Sequence, residues 1–123
     1  MELTEHRPGS HYFIRDINDQ GIRIGETRHA RSLLVGAHYM ETDWPASSLE
    51  DLQDGLIEPI VELKPELVVV GIGRTRTQPS PHVQHLFLRH GIGAEIMTLD
   101  AACRTFNVLM SENRRALAAL IWS

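Results

Sequence analysis

The chain carries one cysteine, Cys103, in 123 residues. An internal disulfide is therefore excluded, and so is the stapled framework of small secreted domains. No apolar run approaches the roughly 20 residues of a membrane-spanning helix. The opening residues, MELTEHRPGSHYF, hold no apolar segment of the kind a secretory signal needs, and they are not rich in arginine and serine as a transit peptide is. Excess positive charge is also lacking. The formal net charge of −4 argues against a general nucleic-acid binder or a protein held on anionic membranes. Internal repeats, low-complexity stretches and linkers are absent. The expectation is a cytoplasmic protein and, at this length, a single domain over residues 11–123 behind a loose arm of residues 1–10. Apolar residues make up 42% of the chain, enough for a core.

The first forty residues read as an antiparallel meander. Tyr12 to Ile17 is β-prone, Asn18 to Gly21 is a turn signal, and Ile22 and Ile24 alternate with Arg23 across a short strand. Gly25-Glu26 marks another turn, Ser32 to Val35 a third strand, and Met40 a short fourth. Trp44-Pro45 then breaks the pattern. Ser47 before Glu50, or Ser48 before Asp51, is a capping signature, and Leu49, Leu52, Leu56 and Ile57 share a helical face. Gly55 and Pro59 are expected to shorten or split that helix.

From Pro65 the pattern becomes strand, helix, strand, helix, strand. Leu67 to Val70 is a continuous apolar run, as in a strand buried on both faces. Ser80-Pro81 starts a helix, with Val83, Leu86 and Phe87 as its apolar stripe and Gly91 as its stop. Ala94 to Met97 is a strand, Asp100 is the expected cap of the next helix, and Ala102, Phe106, Leu109 and Met110 lie on its core face. Asn113 with two arginines after it ends that helix, the arginines complementing its final carbonyls. Ala116 to Ile121 is the closing strand. The sum is one α/β domain with a central mixed β-sheet, an N-terminal antiparallel portion joined to a βαβαβ portion.

Specific residues add a resemblance. They are Pro65-Glu66-Leu67 before an apolar strand, Gly71 and Gly73 as G-x-G, Gly91-Ile92 before Glu95, and the run from Ala102 through Cys103, Arg104, Thr105, Phe106 and Asn107 to Leu109. Glu112, Arg114 and Ala118 to Ile121 follow, and Gly21 to Gly25 and Trp44 match in the N-terminal half. In these the chain resembles a small family of unknown-function domains. One mitochondrial branch of that family assists assembly of respiratory complex I, and another is an adipogenesis-associated protein of animals. The resemblance implies the three-layer fold and an assembly role through protein contacts, but no catalytic residues. Two positions depart from the pattern. Ile72 stands where threonine is common, and Leu99 stands where a threonine often precedes the helix; each removes a hydroxyl near the candidate site.

That candidate site is the polar loop of Gly71, Gly73, Arg74, Thr75, Arg76 and Thr77. It leaves the C-terminal end of a buried strand, where open α/β sheets place their ligand crevices. Two arginines there can hold a carboxylate or phosphate. No third glycine completes a dinucleotide fingerprint, and no Gly-Lys-Ser/Thr follows to make a P-loop. The loop is expected to face Cys103, Thr105, Phe106 and Asn107 on the following helix. A cysteine near a helix N-terminus can be nucleophilic, but an Ala-Ala-Cys run favours a buried, inert one. Asn107, a poor helix former, is expected to brace the neighbouring loop. His82 and His85 sit at chelating spacing without a carboxylate or cysteine at a familiar distance, so no metal, cofactor or catalytic residue is assigned. Trp44 and Trp122 are either interface anchors or core.

The function these features favour is that of a non-enzymatic accessory or assembly-type protein with a protein partner, subunits of a respiratory complex being the partners the resemblance implies. The alternative is a small-molecule or anion-binding protein, or an enzyme, with its site at Gly71–Thr77 facing Thr105–Asn107. A homo-oligomer is compatible with either.

Overall fold

The computed structural model describes residues 11–75 and 77–122. The expected N-terminal arm therefore lies outside the described residues. Strands β1 (Ile14–Asn18), β2 (Gly21–Ile24) and β3 (Thr27–His29) form an antiparallel sheet in the order β1-β2-β3. The meander ends there. The next strands, β4 (Leu33–Gly36) and β5 (Met40–Glu41), leave it for a second sheet, so the first forty residues serve two sheets rather than one.

A 3-10 turn at Leu49–Asp51 follows, then α1 (Asp54–Leu63), β6 (Leu67–Ile72), α2 (Pro81–Leu88), β7 (Gly93–Met97), α3 (Leu99–Ser111) and β8 (Ala116–Ile121). The second sheet has the order β5-β4-β8-β6-β7. Strand β6 is parallel to both β7 and β8, while β4 is antiparallel to β8. The sheet is thus mixed, as expected.

Side-chain alternation along the strands divides the interior into two cores. Val69, Ala116, Ala118 and Leu120 point to one face, where they meet Ala102, Phe106 and Met110 of α3 and Ile14, Ile22 and Ile24 of the small sheet. Val68, Val70, Leu117, Ala119 and Ile121 point to the other face, against Ile57 and Ile60 of α1 and Val83, Leu86 and Phe87 of α2. All six residues of β8 are buried. This is the physical meaning of an uninterrupted apolar strand: both of its faces are covered.

The helix caps follow the sequence with three corrections. The carboxylate of Asp51 accepts from the amides of Ser47 and Ser48 and from the Ser47 hydroxyl, which holds its pKa below the usual carboxylate range. The break in this helical stretch falls at Leu52-Gln53, and α1 runs on through both Gly55 and Pro59, at the cost of one backbone hydrogen bond. The Ser80 hydroxyl accepts from the Val83 amide at 3.3 Å with Pro81 in the first turn, as expected. For α3 the cap is Thr98, whose hydroxyl accepts from the Ala101 amide at 3.2 Å; Asp100 sits in the first turn instead. Asn113 adopts a left-handed conformation after α3, but the arginines behind it turn to the segment between α1 and β6. Arg115 donates to the carbonyl of Lys64 at the end of α1 at 2.6 Å, and Arg114 pairs with Glu66 at 3.1 Å. Trp44 is core: it is buried, and its indole N–H donates to the Leu56 carbonyl at 3.1 Å.

Candidate functional site

The loop after β6 is tied down at both of its described glycines. Gly71 is a buried residue of β6 itself, not of the loop. A Cβ at Gly71 would stand 2.7 Å from the Ala102 Cβ and 3.1 Å from Leu120 Cδ2, so glycine here lets α3 lie close against the sheet. Gly73 has φ of 82°, a left-handed conformation that favours glycine, and its carbonyl accepts from the Leu99 amide at 2.8 Å. The loop therefore begins with its backbone docked on the first residue of α3.

Arg74 is engaged by two carboxylates. Its Nε donates to Asp100 Oδ1 at 2.7 Å, its Nη2 to Asp100 Oδ2 at 3.3 Å, and its Nη1 to Asp19 Oδ1 at 3.1 Å. The fork on Asp100 raises the pKa of the guanidinium further. Asp19 belongs to the β1–β2 turn, so one side chain links the small sheet, the loop and α3. An incoming anion meets Asp100 and Asp19 as well as Arg74. Thr75 is exposed and Thr77 half-buried, while Arg76 lies outside the described residues.

Of the residues expected to face the loop, Thr105, Phe106 and Asn107 make their contacts elsewhere. From Leu99, where the loop docks, Thr105 is six residues on, about 9 Å along the helix. The Thr105 hydroxyl contacts Met97 Sδ at 3.4 Å, Phe106 is fully buried, and Asn107 turns to β1. Asn107 Oδ1 accepts from the Ile14 amide at 2.9 Å and its Nδ2 donates to the Ile14 carbonyl at 2.8 Å. The side-chain amide thus stands in for a neighbouring strand at the edge of the small sheet. Asn107 is a brace, as expected, though on β1 and not on the loop.

Cys103 is buried, and its thiol is pushed up to about 12, first by burial and then by the nearby Asp100, against the opposing pull of Arg74 and Arg104. A thiol so held is a packing group at neutral pH. A thiol-selective alkylating reagent at pH 8 is expected to leave the folded protein unmodified and to label Cys103 promptly in denaturant. Labelling of the native chain at the denatured rate would contradict this assignment.

His82 Nε2 lies 3.2 Å from the Leu52 carbonyl and so joins α2 to the segment before α1. Among the described residues no group of three or more histidines, cysteines, aspartates and glutamates is placed to hold a metal ion. The hydroxyl expected to be lost at Leu99 is supplied one position earlier by Thr98, and Leu99 is buried. The pairing of Arg74 with Asp100 joins residues 26 apart in sequence. One signal for it exists: Arg74 follows β6 and Asp100 follows β7, and adjacent parallel strands deliver both residues to the same edge of the sheet.

Three likenesses to known proteins bear on this geometry. The chain is 24% identical over 100 residues to the "13 kDa major membrane protein" of Francisella tularensis, covering 81% of this chain and 80% of that one. It is 33% identical over 82 residues to the NADH dehydrogenase (ubiquinone) 1 alpha subcomplex assembly factor 3 of Drosophila melanogaster, covering 63% of this chain and 42% of that protein. The chain thus spans less than half the length of the fly factor. A Xanthomonas campestris protein solved by NMR has the same fold, with a TM-score of 0.80 and 33% identity over 98% of this chain and 92% of that one. Among the described residues no helix is long and apolar enough to cross a membrane. Residues 14–121, nearly all of both sheets and all three helices, match a single family, and the chain belongs to it: the family described as "Protein of unknown function (DUF498/DUF598)".

Proposed function

We propose that this protein is a non-enzymatic accessory factor of the assembly type, acting through contacts with a partner protein. The observation that carries this reading is the 33% identity with the fly assembly factor over 82 residues. Two features of the chain support it. The most reactive side chain near the loop, Cys103, is buried with its thiol held in the protonated form. The strongest anion-binding group, Arg74, already holds Asp100 and Asp19. Arg74, Thr75 and Arg76 are the contact residues we assign, because the loop lies on the sheet edge at the C-terminal ends of β6 and β7. Respiratory-complex subunits are the partners the likeness suggests.

The test is capture of the tagged protein from its own cells at native abundance, beside the Arg74→Ala/Arg76→Ala variant. A defined partner is expected at stoichiometric yield and is expected to be lost with the double variant. The Arg74 pairs lie at the surface, where ion pairs contribute little to stability, so the variant is expected to remain folded. Recovery of both forms alone would refute the reading. A rise in melting temperature with phosphate or a carboxylate, absent from the double variant, would favour the anion-binding alternative at the same loop.

A further inference from the structure

A groove at the opposite end of the sheet has the features of a ligand site. It lies between the end of α1 and the start of β8, and it encloses about 310 Å³. That is the lower end of the range for small-molecule sites, about 300–1,000 Å³, and suits a single unbranched chain better than a fused-ring cofactor. Ala37, Leu63, Pro65, Ala116 and Leu117 give it apolar walls, and Leu63 is 43% exposed although its helix has a core face to fill.

The charged groups around it are unevenly placed. Arg114 and Arg115 line the groove and Lys64 adjoins it. Glu66 pairs with Arg114, accepts the backbone amide of Arg115 at 3.3 Å, and is held below the usual carboxylate range by those hydrogen bonds and by the charges of both arginines. The Arg115 guanidinium donates to the Lys64 carbonyl and has no carboxylate within ion-pair distance among the described residues. Tyr39 also lines the groove, and burial, followed by the charges of Glu41 and Glu62, raises the pKa of its phenol.

Backbone conformation singles out the same place. Among the described residues only Lys64 and Asn113 are non-glycine residues with positive φ, at 52° and 57°. Lys64 directly precedes Pro65 and Asn113 directly precedes Arg114, both lining residues. Both are left-handed helix ends, Lys64 capping α1 and Asn113 following α3, and each turns the chain into a lining residue of the groove.

We infer that this groove is a binding site for a medium-chain monocarboxylic acid, with its carboxylate on Arg115 and its apolar chain along Leu63, Pro65, Ala37 and Leu117. The inference stands apart from the partner-binding role proposed above and uses a different surface. The test is a titration of the full-length, 15N-labelled chain with decanoate below its micelle concentration, followed through the backbone amides. Saturable shifts are expected at residues 36–39, 63–64 and 115–117. Decylammonium, the same chain with the opposite charge, is expected to bind at least about tenfold more weakly. Arg115→Gln is expected to lose about tenfold in affinity for decanoate. Leu63→Asp, at an exposed position that leaves the fold intact, is expected to abolish the shifts. No saturable shift, shifts centred elsewhere, or equal binding of the two amphiphiles would overturn the inference.

Discussion

Replacing Gly71 with alanine is expected to destabilise the protein by about 1–3 kcal/mol, the cost of overpacking a close-packed core. That corresponds to a fall of roughly 5–15 °C in melting temperature for a domain of this size. Alanine at a strand position would ordinarily be neutral or helpful, because it restricts the unfolded chain. Here the new methyl group would meet the Ala102 Cβ at 2.7 Å and the Leu99 Cα at 3.4 Å. Neither atom can swing aside as the end of a long side chain can; α3 itself must move. A double-mutant cycle isolates the contact. Ala102→Gly costs about 1 kcal/mol in helix propensity, but in the Gly71→Ala background it also reopens the space. The double variant is expected to be more stable than the sum of the two single changes requires, by about 1 kcal/mol or more. Simple additivity, or a neutral Gly71→Ala, would show that the contact between helix and sheet is not limiting.

The second large effect is expected at Asn107. Asn107→Ala leaves both the amide and the carbonyl of Ile14 without their partner. Ile14 is itself buried, so water replaces these bonds poorly. A loss of about 2–3 kcal/mol is expected, together with faster hydrogen exchange at the Ile14 amide while amides of β6 and β8 keep their protection. Asn107→Asp separates the two bonds. A carboxylate still accepts from the Ile14 amide but cannot donate to the Ile14 carbonyl, and it would repel it. The protonated acid can donate, so folding is expected to raise the pKa of the introduced group. Its stabilising effect is then present below the unfolded-state pKa and is lost as pH rises through the higher folded-state value. Chemical denaturation of this variant at pH 4 and pH 7 measures the difference. Equal stability at the two pH values, relative to the parent chain, would mean that the donated bond contributes nothing.

The central sheet was legible because its strands are long in apolar residues and local in pattern. Leu67 to Val70 and Ala116 to Ile121 announce burial on both faces without reference to anything else in the chain. Ser80-Pro81 and Gly91 do the same for the ends of α2. What escaped depends on partners distant in sequence. Strand β3, Thr-Arg-His, carries no large apolar residue and exists because β2 pairs with it. Leu33 to Gly36 looks like a continuation of the meander, yet its antiparallel partner in the second sheet is β8, more than eighty residues away. The same limit applied at the candidate site. The arginine of the loop was visible, but Asp100 and Asp19, which engage it, were not. The G-x-G pattern drew attention to glycine as an opening toward a ligand, whereas Gly71 serves a close contact with a helix.

The position of β8 has a consequence for how the protein is made. It follows both β4 and β6 in the sequence, and it lies between them in the sheet. Until its residues are available, β4 and β6 have no common neighbour, and the two cores cannot close over the strand whose side chains line both. The earlier elements can form local pairs, the β1–β3 hairpins among them, but the large sheet waits. A chain still being synthesised therefore presents two unjoined sheet edges to its surroundings from the completion of β6 until β8 arrives, a state in which mispairing competes with folding. Completion then depends on threading one apolar strand between two waiting partners, a non-local step of the kind that slows folding.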